Sequence, residues 1–284
     1  LLYGTPHIVS AHSLEPLRPW KAEQLGGGYQ ISSWAEKTSY EAAAAIIAVS
    51  DGMRADVLAA YPSVDPKKVV TIRNGVDTSK FAPNNNPAVL QEFGITGRYA
   101  MFVGRITRQK GLAHLLRAWK SVPAEYGLVL AAGSPDEETV GNEVAALIAE
   151  LQATRSNVWW IKEMLPHDKL TAALTQADLF LCPSIYEPLG IVNLEAMGCE
   201  TAVLASRVGG IPEVVSHQET GILVVYTPDH SRFEADLTAA ISELMADPAR
   251  LEKYGKAGRV RAETHFGWDA VAQQTISLYR SVIS

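Results

Sequence analysis

From residue 99 onward the chain repeats one unit: a short apolar run, a loop carrying glycine or charge, then a stretch with helical spacing. The runs at 100–103, 128–132, 158–161, 179–183, 202–205 and 222–225 are short and almost continuously apolar, the signature of strands buried on both faces. Helical patterns fall between or after them at 112–121, 138–153, 167–175, 190–197 and 233–245, and two more follow at 248–264 and 268–282. Strands separated by helices pair in parallel, because a parallel neighbour is reached only through a crossover. The expectation is an α/β chain whose larger part is a six-stranded doubly wound sheet.

The first 80 residues are poorer in strands. Short ones are expected at 8–11, 46–50 and 69–72. A helix is expected at 30–45, with Trp34, Thr38 and Ala42 near one face, and another running to residue 60 with Asp51 as its cap. Gly26-Gly27-Gly28 reads as a flexible loop. Three strands are too few for a complete Rossmann-like domain. Asn74-Gly75 is a turn, Asn84-Asn85-Asn86-Pro87 is polar and turn-rich, and the domain boundary is placed near residue 80. The chain opens Leu1-Leu2-Tyr3-Gly4, without Met and without a charged leader, and its first strand has nothing before it. The reading is of a chain that starts inside a longer protein.

Composition narrows the function. Apolar residues make up 47% and charged residues 20% of 284, which fits a packed soluble core. A net charge of −6 argues against non-specific nucleic-acid binding and against a basic membrane-docking surface. No apolar run approaches the roughly 20 residues of a membrane span. The two cysteines, Cys182 and Cys199, lack metal or disulfide spacing and point to a reducing compartment, the cytoplasm. His-x3-His, Cys-x2-Cys and Asp-x-Asp patterns are absent, so neither a metal nor another cofactor is expected. Gly-x-Ser-x-Gly is absent too, against a serine hydrolase.

Two loops carry the candidate chemistry. The apolar run 179–183 stops at Pro183, Glu187-Pro188-Leu189-Gly190 makes a turn, and a helix follows from Ile191. That sequence places free backbone N–H groups at the carboxyl end of a strand, a seat for phosphate. Glu187 and Glu195 flank it and suit the hydroxyls of a sugar and a ribose; the alternative is a helix-dipole partner for Glu187 and a surface carboxylate for Glu195, and in isolation Glu195 reads as the latter. The second loop, Gly104-Arg105-Ile106-Thr107-Arg108-Gln109-Lys110-Gly111, follows another strand and offers a forked and a compact cation, or else a solvated basic loop. Both loops are expected at the same end of the sheet. Asp136-Glu137-Glu138 reads as solvated charge opening a helix. Gly209-Gly210 either admits a ligand against the backbone or simply turns the chain. His12 ends a strand, and a lone His is more often structural than catalytic.

Gly104-Arg105 with Lys110-Gly111, and Glu187-Pro-Leu-Gly-Ile-Val-Asn-Leu-Glu195, resemble the retaining GT-B glycosyltransferases of family 4, whose hallmark is Glu-x7-Glu. Asn74-Gly75-Val76-Asp77 resembles that family's passage between domains. The stretch 11–29 is similar to the actinobacterial-type glycogen synthases, a subfamily also described as α-maltose-1-phosphate synthases. The resemblance implies a partial N-terminal Rossmann-like domain (1–80), a complete C-terminal one (81–267) facing it across a cleft, and a last helix (268–284) crossing back. It implies a donor, ADP-glucose or UDP-glucose, and as acceptor an α-glucan or glucose-1-phosphate, with no metal, nucleic acid or membrane required.

By position, Arg105 and Lys110 would hold the diphosphate, Glu187 the sugar hydroxyls and Glu195 the ribose. Gly190 and Ile191 would offer amides, with Gly104, Pro188 and Leu189 beside them. The base would lie near Glu163-Met164-Leu165, and His12 near the transferred sugar. Alternative readings are a lipid or small-molecule acceptor, or a nucleotide-sugar-binding module without turnover. The family's first strands and its glycine-bearing loop are absent, so the chain alone is expected to bind nucleotide weakly and transfer little sugar. Glu200 stands where the family carries Gly, and local backbone strain is expected there.

Overall fold

The computed structural model describes residues 5–283 and divides into two compact units. One comprises the residues up to Gly75 together with those from Trp268 on; the other is Val76–Gly267.

The first unit holds strand β1 (Ile8–Ala11), helices α1 (Lys21–Leu25) and α2 (Gly28–Ala42), β2 (Ala45–Ala48), α3 (Asp51–Ala60) and β3 (Val69–Thr71). The strands form a parallel sheet in the order β1-β2-β3. Two expectations are corrected here. Ser50, not Asp51, caps α3: its hydroxyl accepts from the Met53 amide at 2.8 Å, and Asp51 is the first helical residue. The Asp51 carboxylate instead receives Thr71 Oγ1 at 2.7 Å and Arg73 at 2.5 Å. Gly28 is not loop but the first residue of α2, the break falling at Gly26 with φ +52°. Trp34, on the face of α2 expected to carry Thr38 and Ala42, is 67% exposed.

The second unit contains α4 (Ala88–Glu92), β4 (Tyr99–Val103), α5 (Leu112–Trp119), β5 (Gly127–Ala131), α6 (Glu138–Thr154), β6 (Val158–Ile161), α7 (His167–Thr175), β7 (Leu179–Cys182), α8 (Ile191–Gly198), β8 (Ala202–Ser206), α9 (Ile211–Val214), β9 (Gly221–Val224), α10 (His230–Met245) and α11 (Pro248–His265). Its sheet is parallel throughout, in the order β6-β5-β4-β7-β8-β9. The order reverses between β4 and β7, which makes the crevice at their carboxyl ends the place where a ligand binds in such a sheet. The last helix, α12 (Trp268–Ile283), groups with the first unit.

The apolar runs became strands because both faces are covered. All of β7 and β8 is buried. Leu115, Leu116 and Trp119 of α5, Val144 and Ile148 of α6 and Phe233, Leu237 and Ile241 of α10 pack with Phe102, Leu128 and Leu130 of the sheet. Each leucine so buried contributes about 1.5–3 kcal/mol. Elsewhere α11 lies against α8 and β8, so close that a Cβ on Gly255 would meet the Glu200 carbonyl oxygen at 2.0 Å. Glu200 itself has φ +62°, the strained left-handed geometry expected of it. Three short helices, α1, α4 and α9, were not anticipated; with four or five residues each they are shorter than the window in which periodicity shows.

Candidate active site

The site is built on backbone contacts between loops that are distant in sequence. Ser206, at the end of β8, donates through Oγ to the carbonyls of Cys182, at 3.2 Å, and Ser184. That fixes the loop leaving β7. Gly111 has φ +65°, and a Cβ there would fall 2.0 Å from the Pro183 carbonyl oxygen. The Ile185 amide then donates to Gln109 O at 2.9 Å. The loops after β4 and β7 are thus locked together by main chain.

Gly209 and Gly210 complete the clamp. Gly209 has φ +51° and a Cβ on it would sit 2.0 Å from Glu187 O, while the Gly210 amide donates to that oxygen at 3.0 Å. Gly209 thus makes room for the protein's own backbone under Glu187, and Gly210 bonds to it.

With the main chain fixed, the side chains converge. Lys110 Nζ lies 2.6 Å from Glu187 Oε2, and Ser184 Oγ donates to the same oxygen at 3.2 Å. Glu187 is 7% exposed. Burial, the largest single influence, pushes the Lys110 ammonium down, but the Glu187 charge, the nearby Cys182 and the hydrogen bond to Glu187 together hold the group above its ordinary value. Helix α8 starts just beyond. Its first residue follows Gly190, φ +92°, with no side-chain cap and no acid in the first turn. The Asn193 amide turns back to Gly190 O at 2.9 Å; the amides before it have no helical acceptor, and the dipole favours an anion.

Glu195 lies one turn into α8. Burial raises its carboxyl to about 7, although His167 and Lys110 pull the other way. Its carboxylate has no hydrogen bond or ion pair among the described residues. Asn193, on the same helix, is fully buried, and neither Oδ1 nor Nδ2 has a partner among the described residues. Such an unpaired amide costs about 1–3 kcal/mol.

A cavity of about 510 Å³ opens at the carboxyl ends of β4, β5 and β6, lined among others by Gly104, Arg105, Gly133, Lys162, Met164 and Leu165. Met164 is 95% exposed and Leu165 buried. Gly104 links the cavity to the cation: a Cβ on it would lie 3.9 Å from Lys110 Cγ.

Not every expected residue turns inward. Arg105 lines the cavity but is largely exposed, its Nη1 at 2.8 Å from Asp136 Oδ2 rather than at Glu187. The loop after β5 is stitched to the loop after β4 by the Asp136 amide donating to Ile106 O at 3.2 Å, which brings Asp136 to Arg105. Glu137 meets Arg108 at 3.0 Å. Asp136 and Glu137 are therefore ion-pair partners, not free solvated charge. Pro188 and Leu189 are buried, so the Leu189 side chain packs inside. Ile191 is 37% exposed, and His12 stands exposed just after β1 in the first unit.

Sequence reasoning passed over Ser184, Ser206 and Asn193. The hydroxyls had a signal, each standing at a strand end; Asn193 sits inside the quoted motif. It also passed over Glu15, buried after β1, whose Oε1 accepts from Ser32 at 3.0 Å and meets Arg18 at 3.1 Å and Lys21 at 3.3 Å. Among the described residues no cluster of three His, Cys, Asp or Glu could hold a metal, and no helix is long and apolar enough to cross a membrane.

Residues 91–261 match the family of glycosyl transferases group 1, and residues 1–80 match glycosyltransferase family 4. The alpha-maltose-1-phosphate synthase of Mycolicibacterium smegmatis is 53% identical over 99% of this chain and 74% of its own length. The sucrose-phosphate synthase of Thermosynechococcus elongatus superposes with a TM-score of 0.80 at 28% identity, over 97% of this chain and 67% of that one. Anabaena Alr3699/HepE, solved in complex with UDP-glucose, superposes with a TM-score of 0.82 over 97% of this chain and 72% of its own; at 20% identity this speaks to the fold alone.

Proposed function

The chain belongs to the group 1 glycosyltransferases, with a GT-B-type α/β fold, and from that premise we propose that it transfers glucose with retention of configuration. The donor is ADP-glucose or UDP-glucose. The acceptor is glucose-1-phosphate or the end of an α-1,4-glucan, placing the reaction in α-glucan synthesis. The observation that carries this reading is the convergence of Lys110, Glu187 and the uncapped start of α8 beside the 510 Å³ cavity. The 53% identity to a maltose-1-phosphate synthase supports glucose-1-phosphate as acceptor.

In this reading the base occupies the cavity against Gly133, Met164 and Leu165. The ribose hydroxyls donate to Glu195. Lys110, Arg105 and the amides of Gly190 and Ile191 hold the diphosphate, Arg105 exchanging Asp136 for phosphate. Gly104, Pro188 and Leu189 shape the backbone around it. Glu187 accepts from the sugar hydroxyls. For His12, assigned to the transferred sugar, the support is the family resemblance.

The acceptor hydroxyl oxygen forms its bond to the anomeric carbon on the face from which the diphosphate leaves. The bond from that carbon to phosphate oxygen breaks, its electron pair goes to the diphosphate, and the hydroxyl proton passes to the departing phosphate oxygen. Charge that grows on the diphosphate meets donors already in place, usually the largest catalytic contribution. No separate protein base is needed.

The test is product analysis with ADP-glucose and UDP-glucose, each offered with glycogen or glucose-1-phosphate, using the chain at the full length of its relatives, of which it spans 74%. Release of nucleoside diphosphate together with a glucosylated acceptor is expected. Nucleotide binding without any glucosylated product would favour a binding module and overturn the reading.

A further inference from the structure

Asn193 is buried at the third position of α8, its amide nitrogen bonded to Gly190 O at 2.9 Å and its side-chain amide unpartnered among the described residues. A leucine would fill the same space without leaving polar atoms dry, so for folding alone the carboxamide is a burden. Its position gives it a use. A Cβ on Gly190 would sit 2.6 Å from Asn193 Nδ2 and 3.4 Å from Glu187 Cγ. The amide and the Glu187 side chain therefore border the same gap, left open because residue 190 is glycine.

Glu187 at present answers to Lys110 and Ser184, both on Oε2. A diphosphate competes for the Lys110 ammonium. Once Lys110 turns to it, Glu187 becomes a buried carboxylate short of donors. We propose that Asn193 is a positioning residue for Glu187, its Nδ2 donating to that carboxylate when the donor sugar is bound. A neutral donor holds the carboxylate's direction without neutralising it, so Glu187 keeps its full strength as an acceptor for sugar hydroxyls. The unpaired Asn193 amide is the donor that bond would use. This inference rests on the glucosyl-transfer reading of the same site.

The test compares the wild-type protein with Asn193→Leu, Asn193→Asp and, in case leucine does not pack, Asn193→Ala. Thermal midpoint, Kd for ADP and UDP, and kcat and KM for glucosyl transfer are measured. Asn193→Leu is expected to keep or raise the midpoint and leave nucleotide Kd within about twofold, yet lower kcat at least about tenfold, the worth of a hydrogen bond to a charged group. Asn193→Asp keeps the shape but places a like charge beside Glu187, and is expected to lose as much. A role in packing alone predicts the opposite split, with stability moving and transfer unchanged. A wild type that transfers glucose while the folded variants match its kcat within about twofold overturns this inference alone. A wild type that binds nucleotide but transfers no glucose overturns the reading of the site, and this inference with it.

Discussion

Lys110 and Glu187, 77 residues apart in sequence, form a 2.6 Å ion pair at the carboxyl ends of two adjacent parallel strands. Lys110 is 19% and Glu187 10% exposed at the side chain, so removing one charge leaves the other poorly solvated. Lys110→Ala is expected to lower glucosyl transfer by about 10²–10³, the usual cost of one pre-oriented donor to a leaving oxyanion. Turnover within about twofold of wild type would remove Lys110 from the diphosphate site.

Gly209 carries a different kind of constraint. Its φ of +51° alone costs an L-residue about 1–2 kcal/mol, and a Cβ would also be driven into the Glu187 carbonyl. Gly209→Ala is expected to lower the thermal midpoint sharply, by more than about 3 kcal/mol of stability. Gly133→Ala is the control: its φ is ordinary and the nearest atom to the new methyl is Lys162 O at 3.5 Å. Equal midpoints for the two variants would disprove the clamp.

Glu195 titrates where enzymes work. Burial holds its carboxyl near 7 against an ordinary 4.5. Because the folded value is the higher one, its stability contribution is complete below about 4.5 and is lost as pH rises through about 7, an effect of about 3 kcal/mol. Ribose hydroxyls bind best to the ionised form, so nucleotide affinity is expected to rise with pH across the same range. Relative to Glu195→Gln, which cancels the titration of the nucleotide's own phosphate, wild type should gain roughly tenfold between pH 6 and 8. Parallel pH profiles for the two proteins would separate Glu195 from the ribose.

At Glu200 a substitution should help. The residue sits just past α8 with φ +62°, and its carboxylate is 3.8 Å from Arg259 on a side chain 40% exposed, a pair of little worth. Glu200→Gly removes the left-handed cost but loosens the unfolded chain, for a net gain of about 0.5–1 kcal/mol. Glu200→Ala should show no such gain. A glycine variant that melts below wild type would mean the Arg259 contact outweighs the strain.

The six strands of the larger sheet, the glycine-led start of α8 and the Glu-x7-Glu spacing were all legible in the sequence. A run such as Leu179-Phe-Leu-Cys182 states its burial by composition, and Gly190 states a turn by lacking a side chain. These are properties of neighbouring residues, and neighbouring residues are what a sequence reports. Tertiary structure alone turned Lys110 to Glu187 while Arg105 went to Asp136, set Gly209 beneath the Glu187 carbonyl, dried out Glu195 and left the Asn193 amide unpartnered. Each of these depends on which distant segment fills the adjacent volume: desolvation, charge pairing and close approach are set by the three-dimensional neighbours that strand order β4-β7-β8 brings together.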